Sequence, residues 1–132
     1  MTEHAEGTFE VTSWSEEPAE GLEGTARVTR ATFGQRFSGG IEADTVADVV
    51  MTYREDGTAD YLGFQRVLGD LGGRQGSFVL RSIGGFDGQV ARADVSVVPG
   101  SGTGDLVGLR GTGSAAVPMG SSGTYVLDYD LG

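Results

Sequence analysis

Apolar and polar residues alternate along extended stretches of the chain. Ala47, Val49, Met51 and Tyr53 interleave with Asp48, Val50, Thr52 and Arg54, and Ala91, Ala93, Val95 and Val97 interleave with Arg92, Asp94 and Ser96. A period of two assigns the two sets to opposite faces of a β-strand and does not fit a helix. Glycine-bearing turns punctuate the pattern at Glu55-Asp56-Gly57, Gly72-Gly73 and Asp87-Gly88, which are hairpin signatures because glycine accepts a left-handed backbone. The interval, about 15 residues per hairpin unit, is longer than the roughly 8 to 12 of a short-stranded sandwich. Long tilted strands suit a closed barrel, which also removes exposed edges.

The pattern predicts eight strands: Thr8 to Ser15, Ala26 to Ser38, Glu42 to Arg54, Thr58 to Leu71, Arg74 to Phe86, Gln89 to Val98, Gly111 to Val117 and Gly123 to Asp130. The expected fold is all-β, an eight-stranded antiparallel barrel built as one domain over residues 1–132, with almost no helix. Two stretches fall outside it. The acidic run 16–24 reads as a loop after strand one, either a lid or a solvated connection. Within 99–111, Asp105 is a good capping residue and marks a turn or one short helical turn.

Absent residue types narrow the chemistry. There is no Cys and no Asn, and all 9 basic residues are Arg, so disulfides, thiol nucleophiles, lysine Schiff bases and phosphate-loop lysines are excluded. The single His, His4, lies in an N-terminal stretch expected to fray, which leaves a Ser-His-Asp triad or a multi-histidine metal site without its central residue. Carboxylates, Tyr, Arg and hydroxyls remain, and neither a cofactor nor a metal is expected. With 19 acidic against 9 basic residues the net charge is −10, and scattered arginines do not supply the positive footprint that nucleic acid requires. No apolar run reaches the ~18 residues of a membrane span, and the start lacks a signal-peptide pattern, so the expected location is the cytoplasm.

Motif matches are weak. Gly111-Thr112-Gly113-Ser114-Ala115-Ala116 fits a relaxed dinucleotide fingerprint, but strand-like residues and Pro118 follow where a helix would have to open. No calcium loop surrounds Asp105, and no nucleophile elbow occurs. Strand one is more informative. Thr8, Glu10, Thr12 and Trp14 share one face, and Phe9, Val11 and Ser13 share the other. If the first face is inward, Glu10 is a carboxylate in an apolar cavity beside the only Trp, where desolvation raises its pKa toward acid–base use. If the second is inward, Glu10 is an ordinary surface residue. The same bookkeeping nominates Met51, Tyr53, Phe64, Arg66, Phe78, Leu80, Tyr125, Leu127 and Tyr129 as cavity or core positions. Arg66, if inward, would need a carboxylate or an anionic ligand.

The stretches Gly7 to Trp14, Tyr53 to Thr58, Gly76 to Leu80, Val98 to Leu106 and Leu127 to Asp130 resemble an uncharacterised bacterial domain family of short acidic proteins. That family is in turn similar to the allene-oxide-cyclase-like barrels, which are eight-stranded and antiparallel. In allene oxide cyclases the first strand carries an aromatic-Glu-Ile-Asn pattern whose Glu and Asn enter the cavity, where the Glu assists opening and ring closure of an unsaturated epoxide without a cofactor. Phe9-Glu10-Val11-Thr12 is similar, which puts Glu10 in the position of the cavity carboxylate and Thr12 where that family has Asn. The resemblance implies a cofactor-independent cyclase or isomerase acting on a small apolar, polyene or epoxide-type molecule held in the lumen. It also implies a homo-oligomer, since the plant barrels are trimers. The competing class is a non-catalytic barrel that carries a small hydrophobic ligand or serves a structural role.

Overall fold

In the computed structural model, which describes residues 2–132, the alternating stretches pair with their sequence neighbours as eight antiparallel strands and close into a barrel. These are β1 (Glu3–Pro18), β2 (Arg27–Gly39), β3 (Ile41–Tyr53), β4 (Ala59–Leu71), β5 (Arg74–Phe86), β6 (Val90–Val97), β7 (Arg110–Pro118) and β8 (Gly123–Asp130). A single 3-10 turn, Gly104–Leu106, falls where Asp105 had marked one. Gly72 and Gly73, with φ of 60° and 90°, make the two-residue turn of the β4–β5 hairpin, the left-handed pair whose twist matches that of the strands. Asp56 and Asp87 brace the turns after β3 and β5 by accepting from the backbone N–H groups of Thr58, Gln89 and Val90.

β1 is longer than expected at both ends. Residues 16–18 of the acidic run are strand, not loop, and His4 does not fray. It pairs with Tyr129's neighbour Asp128 on β8, with Nδ1 at 2.7 Å from the carboxylate. The barrel wall is also uneven, because β2 to β5 run 13 residues each while β6 and β8 run 8 and β7 runs 9. β8 covers β1 only over Glu3–Phe9, so beyond Phe9 β1 has a strand neighbour on the β2 side alone.

At the end where β1 and β3 begin, the lumen is packed solid. Phe9, Phe37, Ile41, Leu71, Phe78 and Leu127 are buried there, and Leu106 and Leu109, each 1% exposed, seal the bottom; each such side chain is worth about 1.5–3 kcal/mol of burial. Phe9 stacks on Phe37 with centroids 5.0 Å apart, and Phe37 packs on Tyr125 at 4.8 Å. Gly123 makes room for this layer, since a Cβ there would overlap the Phe9 ring. The Tyr125 hydroxyl accepts from Ile41 N–H at 2.8 Å and donates to the Ser38 carbonyl at 2.9 Å. Where β6 stops short, the segment 98–106 covers the lower part of β5, with Ser101 and Thr103 accepting from the N–H groups of Val79 and Ser77.

Midway along β1 the register slips. Val11 faces Gln35 and Ser13 faces Gly34, leaving Thr12 as the extra residue of a β-bulge. Gly34 permits it: a Cβ there would lie 2.7 Å from the Thr12 hydroxyl and 2.9 Å from that of Ser13, which instead accepts Gly34 N–H at 3.0 Å. The extra residue reverses the inward parity of everything after it.

Candidate functional site

Toward the other end the inward side chains shrink. Ala47 and Ala59, Ala91 and Ala93, and Ala115 occupy inward positions on four strands, and the space they leave is a cavity of 420 Å³, within the range of about 300–1,000 Å³ of small-molecule sites. Aliphatic and aromatic groups form its walls, including Val49, Met51, Leu80, Phe33, Tyr61 and Phe86. One polar station interrupts them. Gln65, only 7% exposed, donates through Nε2 to Gln35 Oε1 at 2.8 Å and to the Thr45 hydroxyl at 2.7 Å. Ser82 lies on the same cavity wall.

Bulge parity decides which part of β1 reaches the cavity. Phe9 and Val11 face in before the bulge, and Trp14 faces in after it, stacked on Phe33 at 4.9 Å. Glu10 and Thr12, expected in the lumen, lie on the outside and are exposed, Thr12 because it is the bulged residue itself. The nearest hydrogen-bonded carboxylate is Glu16, which does not itself line the cavity but is held by Trp14 and Tyr53, which do. Its Oε2 accepts from the Tyr53 hydroxyl at 2.5 Å and the Thr29 hydroxyl at 2.7 Å, and its Oε1 from the Trp14 indole N–H at 3.3 Å. Arg27 lies over the Tyr53 ring, 4.1 Å from its centroid. Desolvation at the rim raises the Glu16 pKa, but the bonds from Tyr53, Thr29 and Trp14 and the Arg27 charge outweigh it, so the net shift is below the ordinary value. Tyr53 is displaced upward by burial and by the bond to Glu16.

The other nominated positions divide three ways. Met51 and Tyr53 line the cavity as alternation predicts, and Leu80 joins them. Phe78, Tyr125, Leu127 and Tyr129 are buried but belong to the packed end, and none of them lines this cavity. Phe64 and Arg66 alternate with buried Gly63, Gln65 and Val67; Phe64 nonetheless borders the cavity as nominated, whereas Arg66 falls on the outer face. Phe64 is 53% exposed, and Arg66 pairs with Asp48 at 2.8 Å, which supplies the carboxylate it would have needed inside. Strand four misleads because it is apolar on both faces, with Leu62, Phe64 and Leu68 exposed. Residues that alternation alone did not single out are Glu16, Phe33, Gln35, Tyr61, Gln65 and Ser82. A signal for Tyr61 and Gln65 did exist: the short turn 54–58 pairs Tyr53 with Ala59, which sends the odd residues of β4 inward once Met51 and Tyr53 are placed.

Among the described residues, no cluster of three or more His, Asp or Glu is arranged to hold a metal, and no helix is long and apolar enough to cross a membrane. No curated protein matches the chain. A crystal structure of a protein of unknown function from the DUF3224 family of Shewanella oneidensis MR-1 is similar, with a TM-score of 0.81 and 29% identity, covering 100% of this chain and 98% of that one. The family described as "Protein of unknown function (DUF3224)" matches residues 5–129. With nearly its whole barrel inside that match, the chain belongs to the DUF3224 family.

Proposed function

We propose that the barrel binds a small, predominantly apolar molecule in its lumen and acts as a carrier or sequestering protein. The observation that carries this reading is the 420 Å³ cavity walled by alanines, aliphatics and aromatic rings. At the ~30 Å³ that a water molecule occupies in the liquid, that volume accommodates about 14 non-hydrogen atoms. Gln65 Oε1 and Gln35 Nε2 make no hydrogen bond among the described residues, so a ligand carbonyl or hydroxyl at that depth finds both a donor and an acceptor.

A cofactor-independent cyclase or isomerase is the second reading, and in this barrel it rests on Glu16 and Tyr53. Glu10, on the outside, has no route to a bound molecule. Glu16, held ionised, is suited to accepting a proton or stabilising positive charge rather than to protonating an epoxide. Binding without chemistry asks less of these residues and is the lead.

Trp14 is the only tryptophan and lines the cavity, so its emission reports occupancy. Titration with 1-octanol should give a saturable change, and Ala93→Phe, which fills the lumen, should abolish it while leaving the protein folded. Absence of saturation in the wild type would refute a ligand-binding lumen.

A further inference from the structure

The rim of the cavity is built around one carboxylate and three aromatic rings. Trp14 and Tyr53 line the cavity and also donate to Glu16, while Phe33 stacks against Trp14. The Glu16 oxygens are unequally used. Oε2 accepts two bonds of 2.5 and 2.7 Å, whereas Oε1 accepts a single long one of 3.3 Å from the indole. A carboxylate has about four acceptor positions, so Oε1 can take a further donor. Glu16 makes no ion pair among the described residues, since Arg27 is spent on the face of Tyr53. Arg27 acts on Glu16 through space from its place over the Tyr53 ring, but no cation touches the carboxylate among the described residues.

The surrounding charge has the same sign. Of the basic residues around this mouth, Arg54 is paired with Asp60 at 2.6 Å and Arg92 with Asp87 at 3.1 Å, while Arg27 and Arg30 on β2 make no ion pair among the described residues and are outnumbered by the carboxylates there. The turns between the strands leave Glu20, Glu23, Glu55 and Asp56 without ion-pair partners among the described residues, on a chain of net charge −10. A charged rim of one sign over low-dielectric walls concentrates counter-ions of the other sign. The faces of Trp and Tyr rings attract cations as well, and Arg27 over Tyr53 shows a cation already using one of them.

From this arrangement we infer that the preferred ligand is a cationic amphiphile: a protonated amine whose ammonium group docks on Glu16 Oε1 at the aromatic rim while its apolar body fills the lumen. The inference rests on the ligand-binding reading above and adds to it the charge of the ligand. A fatty-acid-like anion held by Arg27 is the opposite outcome. It would have to displace the contact to Tyr53 and enter a negative mouth.

The experiment is a Trp14 emission titration of the full chain with octylammonium, 1-octanol and octanoate at pH 7 and low salt, each repeated with Glu16→Gln. Glutamine retains an oxygen for Tyr53 and Thr29 and removes the charge. A charge-assisted hydrogen bond should make octylammonium bind about tenfold tighter than octanol, with octanoate weakest. Glu16→Gln should bring octylammonium down to the octanol value measured in the same variant. Added salt should erode the amine preference as well. Equal binding of all three probes, tighter binding of octanoate, or an amine preference that survives Glu16→Gln would each overturn the inference while leaving the lumen intact as a binding site. If octanol also fails to bind, the ligand-binding reading itself falls and takes the inference with it.

Discussion

Tyr125→Phe removes a single oxygen atom from the packed end of the barrel, and its cost can be worked from the geometry. That hydroxyl accepts from Ile41 N–H at 2.8 Å and donates to the Ser38 carbonyl at 2.9 Å, tying β8 to the corner between β2 and β3. Ile41 is 1% exposed, so water cannot replace the lost partner. Loss of a hydrogen bond removes about 1 kcal/mol, and leaving a buried N–H unpaired adds about 1–3 kcal/mol. A destabilisation of about 2–3 kcal/mol is therefore expected. For 132 residues at ~2.1 cal/mol/K each, the unfolding entropy near the midpoint is ~0.28 kcal/mol/K, which converts that loss to a Tm about 7–11 °C lower. Urea denaturation should show a lower midpoint at unchanged m-value. Tyr129→Phe is the control: Tyr129 is equally buried, but its hydroxyl makes no hydrogen bond among the described residues, so its loss should stay within about 0.5 kcal/mol. Equal effects for the two variants, or a Tyr125→Phe loss below about 0.5 kcal/mol, would refute the argument.

Glu10→Gln should leave stability within about 0.5 kcal/mol and Trp14 titrations unchanged, because Glu10 is exposed on the outer wall; a loss of binding would return it to the lumen. Deleting Thr12 should remove the bulge while keeping Val11 opposite Gln35 and Trp14 opposite Phe33, so that Trp14 and Glu16 stay on the inward side and the indole emission is unchanged; a red-shifted, readily quenched emission would show that Thr12 is not the extra residue. The bond and ion pair to Asp128 raise the His4 pKa above 6.5, so the single imidazole should titrate high by NMR and return toward that value in Asp128→Asn. Glu16 contributes to the acid-side pH dependence together with Asp56 and Asp87, whose carboxyls are also lowered. The Glu16 carboxyl is lower in the folded protein, so the stabilisation is complete above the ordinary carboxylate value and is lost as pH falls through the folded value. Glu16→Gln should flatten the acid limb of Tm against pH, and an unaltered limb would refute that assignment.

The strands and their order were legible because alternation and turn chemistry agree; Arg74–Phe86 and Gly123–Asp130 end where the pattern ends. The cavity was legible only in part. Met51 and Tyr53 sit on a strand whose outer face is largely polar, so their direction is unambiguous, whereas β4 offers Leu62, Phe64 and Leu68 exposed against Tyr61, Val67 and Leu71 inside. Hydrophobicity cannot separate two apolar faces. Only the pairing across the β3–β4 turn can. The site carboxylate was hidden for a different reason: nothing in Val11-Thr12-Ser13 announces a bulge, and the glycine that admits it, Gly34, lies on the neighbouring strand. One inserted residue exchanged Glu10 for Glu16, whose place in an acidic run gave it the look of solvated loop. The size of the lumen was not legible either, since it depends on how many inward positions hold alanine once all strands are in register.

The free margin of β1 beyond Phe9 bears on edge-to-edge association. Unpaired backbone donors and acceptors on a strand invite another chain to add to the sheet, and from there to polymerise. Over this margin the strand carries Glu10, Glu16 and Glu17 and ends at Pro18, so two copies meeting edge to edge would oppose like charges and lack a donor at the last position. Glu10, on the outside of the barrel, thus places a charge on a stretch of β1 that β8 does not cover.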